Sequence, residues 1–262
     1  MQQNLTEGPV TRSMLLFALP MILGNLLQQL YNVADTLIVG RCLGPDALAA
    51  VGSSYSLMTF LTSILLGLCM GSGVCFSILF GSREEEKLQE SIFVSFVVIA
   101  AAAALLTGVV MALTDPILHA LHIQVQVYDL TRAYVRMVFL GIPFTFLYNY
   151  FATLLRAIGN SVVPLVFLGV SAVLNIVLDL VFVLALDRGV AGAAEATVIS
   201  QAVSAACIAL YALRKAPELR PHRAEMKLRR RTVGKIFSYS FLTCVQQPVM
   251  NFGILMIQGL VN

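Results

Sequence analysis

Six apolar runs, each closed by a cluster of Gly, Pro, polar or charged residues, constrain this chain more than anything else in it. They lie at roughly 13–40, 46–80, 89–114, 128–155, 162–187 and 192–213, and a seventh begins over 233–262. A membrane-spanning helix needs about 20 predominantly apolar residues, so each of the six is long enough to cross. RCLGPD closes the first run, GSREEEK the second, TDP the third, RAIGNS the fourth, DRG the fifth and RKAPELRP the sixth; such clusters mark interfacial loops. The expected fold is an all-α polytopic membrane protein. Only 12% of the 262 residues are charged, about half the share of a soluble domain, which excludes a soluble enzyme.

The second run is long and rich in Gly and Ser, with Gly67, Gly71 and Gly73, and is expected to be tilted or partly interfacial. The polar start MQQNLTEGPVTRS precedes an apolar run too long for a cleavable signal. Cys42, Cys69, Cys75, Cys207 and Cys244 show no CxxC spacing and read as small apolar core residues. His119 and His122 form an HxxH with no third ligand cluster nearby, so no metal site is expected there.

Lys and Arg set the orientation. With the N-terminus in the cytoplasm, 13 of the 17 basic residues fall on the inside, most of them between Arg214 and Lys235. That cluster is the topology signal of a cell-membrane protein. It lacks the interleaved aromatics of a stacking platform, so nucleic acid is not an expected partner. The expected organisation is a six-helix lobe over 1–215, a basic cytoplasmic linker over 216–232, and the first helix of a second lobe over 233–262. The first run (LLFALPMILGNLLQQL) and the seventh (IFSYSFLTCVQQPVMNF) each carry a QQ pair. This points to the internal repeats common in transporters.

Three acids lie inside apolar runs: Asp35, Asp179 and Glu195. A carboxylate at the centre of a spanning helix costs about 2.5–3.5 kcal/mol, and such residues read as functional by default. At 1.5 Å per residue, Asp35 lies ~9 Å below the outer edge, Thr197 ~10 Å, Asp179 ~12 Å and Asn175 ~18 Å. Asn175 and Asp179 are four apart and share a helix face. Arg136 is the one basic residue near that layer, and it either neutralises one acid or snorkels to the surface. Two carboxylates with so little fixed counter-charge cannot both stay ionised cheaply, so a mobile proton, metal cation or cationic substrate must supply charge. Two carboxylates, an amide and a hydroxyl form an oxygen-only set, which suits Na⁺ as well as H⁺. The alternative is that Asp35 and Asp179 cap helix ends or reach headgroups. Glu195 reads differently, as an acid in the first turn of the sixth run, where it suits the helix N-terminus.

In the first run Gln28, Tyr31 and Asp35 are spaced i, i+3, i+7 on one face. They form either a cavity wall for an amphipathic cation or packing contacts with other helices. Pro20 removes a backbone donor and permits a bend in the helix that carries Asp35.

LPMILGNLLQQLYNVADTLIVGRCLGPDALAAVG resembles the first helix and following loop of the multidrug and toxic compound extrusion (MATE) transporters. LLRAIGNSVVPL resembles their turn between helices four and five, GVAGAAEATVISQ the start of helix six, and CVQQPVMNFGILMIQGLVN helix seven. The resemblance covers nearly the whole chain. It implies half of a twelve-helix, two-lobe bundle, with the second lobe expected as a partner in the full-length protein. It further implies a cation-coupled antiporter, driven by H⁺ or Na⁺ and needing no cofactor, that exports small organic, mostly cationic compounds. The family's cation pocket falls on Asp35, Asn175, Asp179 and Thr197, its helix-one proline on Pro20, and its substrate-lining residues on Gln28 and Tyr31. The chain departs from the pattern at Glu195, where an apolar residue is expected. Gln246 and Gln247 stand where some branches carry an acid.

Two rival readings remain. A flippase for a lipid-linked saccharide, built on a related fold, would line its cavity with basic residues for pyrophosphate, and here the layer is acidic. An intramembrane aspartyl protease would use Asp35 and Asp179 as a dyad. Their flanks, VADT and VLDL, are not the YD and GxGD patterns of those enzymes, so an enzyme is not expected.

Overall fold

The computed structural model describes residues 10–121, 123–219 and 226–261; His122 lies outside the described residues. Among these the elements are helical and no strand occurs. The chain forms α1 (Val10–Leu43), α2 (Pro45–Gly81), α3 (Glu85–Ala112), the short α4 (Thr114–Ala120), α5 (Tyr128–Leu140), α6 (Ile142–Ala157), α7 (Val162–Asp179), α8 (Gly189–Lys215) and α9 (Arg230–Val261). Five described helices are long and apolar enough to cross a membrane, and the bent pair α5–α6 makes a sixth.

The connections follow from local chemistry. Gly44 adopts φ +87° and Pro45 opens α2; glycine accepts the left-handed backbone, and proline suits the first helical turn. Glu85 and Glu86 occupy the first turn of α3, where their charge meets the positive end of the helix dipole. The α2–α3 turn, the end of α8 and the start of α9 lie together at one end of the bundle, the basic end, where Arg229 Nη1 stands 3.3 Å from Glu90 Oε2. Gly44, α4 and the α7–α8 turn lie at the opposite end.

The fourth apolar run is not one straight helix. It breaks at Gly141 into α5 and α6 with a bend of 41°, because Pro143 has no N–H to continue the ladder. Pro20 behaves differently: α1 is a single helix across it. The fifth run ends in a π-helical turn, Leu180–Ala185, directly after Asp179.

The main core packs α2, α3, α6 and α8 around Tyr150. Its phenol donates to the Ile92 carbonyl at 2.6 Å and meets Ser95 Oγ at 3.0 Å. Phe76, Phe96, Phe146 and Phe151 surround its ring. Gly67 and Gly71 mark a close helix contact. A Cβ on Gly67 would stand 2.6 Å from Cys244 Cα, and one on Gly71 2.3 Å from Ser240 Cα. The two glycines lie four apart, the small-xxx-small spacing that lets spanning helices touch backbone to backbone.

Candidate functional site

α1 packs on α7, and α7 on α8. Where the three meet, the Asp35 and Asp179 carboxyls lie within hydrogen-bonding reach of each other. Asn175 and Asp179 are fully buried, and Thr197 nearly so. Asn175 links the other two. With its nitrogen toward Asp179 it donates to Oδ2 at 2.8 Å, and its oxygen accepts from the Thr197 hydroxyl and backbone N–H, each at 3.3 Å. The reverse orientation sets the amide oxygen against a carboxylate oxygen and lets Nδ2 donate to Thr197 Oγ1 at 3.3 Å. The Thr197 hydroxyl also reaches the Ala193 carbonyl at 3.1 Å.

Two phenols complete the enclosure. Tyr31 of α1 reaches the Thr197 hydroxyl and faces both carboxyls. Tyr134 of α5 is buried and faces the same pair. Sequence reasoning missed Tyr134. Its signal was depth: six residues into α5 it lies ~9 Å along the helix, in the layer of the two acids. Gln28 continues the Tyr31–Asp35 strip but is exposed.

The charge balance of this site is unusual. Asp35 Oδ1 and Asp179 Oδ1 are buried with no hydrogen-bond partner among the described residues. The ion pairs formed by the described residues all fall elsewhere. Arg136 does not serve the pair: it reaches outward to Asp115 Oδ2 at 3.6 Å. Arg132 grips the same carboxyl, Nε to Oδ1 at 2.6 Å and Nη2 to Oδ2 at 2.8 Å. That guanidinium holds the Asp115 carboxyl below the usual carboxylate range. A groove of about 350 Å³, lined by His119, Ile123, Val125, Tyr128 and Asp129, lies beside this network and shares no residue with the acid pair.

Glu195 is not in the first helical turn. α8 begins at Gly189, so Glu195 sits in the second turn, where Arg188 pairs with it.

Chemically, the site offers two carboxyls, an amide, a hydroxyl and two phenols, with no fixed cation among the described residues. Orphaned carboxylate oxygens call for an explanation, and an all-oxygen donor set is chemically compatible with a proton or a hard cation.

The MatE family model matches residues 20–181, a span that includes Pro20, Asp35, Asn175 and Asp179. The chain is 35% identical over 222 residues to the probable multidrug resistance protein YoeA of Bacillus subtilis (strain 168), covering 81% of this chain and 47% of that protein. It is 29% identical over 265 residues to the multidrug export protein MepA of Staphylococcus saprophyticus, covering 97% and 55%. Among solved structures, a MATE in complex with MaL6 superposes with a TM-score of 0.90 at 24% identity, over 97% of this chain and 57% of that one. An outward-facing multidrug resistance MATE family transporter gives 0.89 at 24% identity, over 96% and 56%. At that identity the structures speak to the fold. The chain spans about half the length of the curated relatives it matches.

Proposed function

Because the chain belongs to the MatE family, we propose that it supplies the first lobe, and the opening helix of the second, of a cation-coupled antiporter that exports small organic cations. The observation that carries this reading is the contact between the half-buried Asp35 carboxyl and the fully buried Asp179 carboxyl, each with a buried oxygen that no described residue satisfies. Like charges so close cannot both persist in a dry site. A proton or Na⁺ supplies the missing charge when bound, and its arrival and departure can be coupled to export.

Each residue then has a task. Asp35 and Asp179 hold the ion between α1 and α7. Asn175 fixes the Asp179 carboxyl and ties it to Thr197 on α8. Tyr31 stands between the pair and the exposed Gln28, on the strip that lines the substrate path. Pro20 lies in the same helix and leaves α1 free to bend as the site fills. The lobe spans 1–215, the linker 216–232, and the second lobe begins at 233. The basic end faces the cytoplasm of a cell-membrane protein by the positive-inside rule. The acidic wall favours cationic cargo over a pyrophosphate-linked saccharide, which calls for basic residues.

The test uses the whole protein in vesicles under an imposed proton or sodium gradient, with efflux of ethidium followed by fluorescence. Asp35→Asn and Asp179→Asn should each reduce gradient-driven efflux at least about tenfold, a loss of roughly 1.4 kcal/mol or more in coupling. Unchanged efflux in either variant would sink the assignment. Separate H⁺ and Na⁺ gradients identify the coupling ion.

A further inference from the structure

Asp35, Asp179 and Thr197 each have an apolar residue one turn nearer the end of the bundle that holds the α7–α8 turn. Val39 follows Asp35 in α1, Val183 follows Asp179 in the π-helical turn, and Ala193 precedes Thr197 in α8. All three are buried in one small cluster with Tyr134, Val138 and Val190. This cluster lies between the carboxyls and that end of the bundle.

Two of the elements that carry this cluster, the π-helical turn and the start of α8, form a hairpin whose feet are Asp179 and Thr197. Its tip is tightly built. Asp187 and Gly189 both adopt positive φ, 49° and 59°, so the turn is sharp. Arg188 pairs with Glu195 across the tip, and its guanidinium carbon stands 6.0 Å from the centre of the Phe182 ring, a cation–π contact. Gly192 lets α8 approach the π-helical turn: a Cβ there would stand 2.9 Å from Arg188 Cβ and 3.1 Å from Phe182 Cβ. A π-helical turn is a less regular element than the α-helix around it and recurs at functional sites. This one is held in place from outside.

We propose that the Arg188–Glu195 pair, seated over Phe182 and Gly192, is a latch that keeps the Val183 plug shut over the Asp35–Asp179 site. Its meaning as a gate rests on reading that pair as the coupling-ion site. The latch assigns Arg188 and Glu195 as positioning residues, which act through the hairpin and touch no ion.

The experiment reads access directly and needs no transport. In the whole protein, with its own cysteines replaced by Ser or Ala, Val183→Cys is labelled by a charged methanethiosulfonate reagent added from the side of the α7–α8 turn. Glu195→Gln and Arg188→Gln should each raise the labelling rate roughly two- to fivefold, the factor a half-exposed ion pair supplies. The charge swap, Arg188→Glu with Glu195→Arg, should bring the rate back toward the starting value. Gly192→Ala, which wedges the hairpin open, should raise it as well. Unchanged rates in the single variants, or a swap that labels as fast as they do, would overturn the latch. Efflux in the Asp variants can fail without touching this result, and the labelling can fail without touching efflux.

Discussion

Two buried helix seams in this molecule are finished in opposite ways. Between α2 and α9, small residues bring the backbones together and the polar side chains are paid off by carbonyls. Ser240 Oγ donates to Leu68 O at 3.2 Å, Thr243 Oγ1 to Gly67 O at 2.8 Å, and Cys244 Sγ lies 3.6 Å from Ile64 O. Between α1, α7 and α8, two carboxyls face each other and each keeps an oxygen without a partner. Membrane helices have no hydrophobic drive to associate, so they rely on packing and internal hydrogen bonds. Among the described residues, Ser240, Thr243 and Cys244 of the first seam obey that rule. The second breaks it at its most expensive groups, and stability alone gives no reason to keep them.

The largest expected difference between the seams is the response to ions. If the acid site binds a coupling ion, a concentration 100 times its Kd should stabilise the folded protein by about 2.7 kcal/mol, read as a rise in melting temperature. Asp179→Asn should abolish that rise without lowering the ion-free melting temperature, because it removes a buried unpaired charge rather than a satisfied one. A variant that melts well below the parent would make the pair structural and erase the contrast.

The second test works on the other seam. Gly71→Ala puts a methyl group 2.3 Å from Ser240 Cα, and backbone cannot give way as a flexible side chain can. Overpacking of this kind costs about 1–3 kcal/mol. The ion-dependent rise in melting temperature should survive, since the acid site lies between other helices. Loss of both together would mean that the seams are not independent.

How much of this was legible in the letters differs between the seams too. The spans follow from apolar run length, and the boundaries from Gly, Pro and charge. The break at Gly141 was hidden because hydropathy stays high across it, although Pro143 marks the place. Asp35, Asn175, Asp179 and Thr197 stood out because polar groups in an apolar run are costly. Counting residues gave their depth but not their direction around each helix, so their meeting needed the structure. Tyr134 shares that depth but did not stand out, since a tyrosine in a spanning helix is ordinary. Glu195 was misread because the start of α8 was placed too late, which hid its pairing with Arg188. The π-helical turn has no letter code at all. Gly67 and Gly71 were visible, but their partner helix was not, so their contact needed the structure.

The smallest expected effect tests whether the α2–α9 seam depends on packing or on its hydrogen bonds. Ser240 is fully buried and its hydroxyl donates to Leu68 O. Ser240→Ala removes that bond and leaves a carbonyl that still has its place in the α2 ladder. Hydrogen bonds between membrane helices average about 0.6 kcal/mol, so the melting temperature should fall only slightly, and far less than for Gly71→Ala. That ranking follows if the glycines set the spacing and the hydroxyls only complete it. The reverse ranking would mean that the hydroxyls hold the seam. The two seams would then differ in who satisfies their polar groups, not in how they pack.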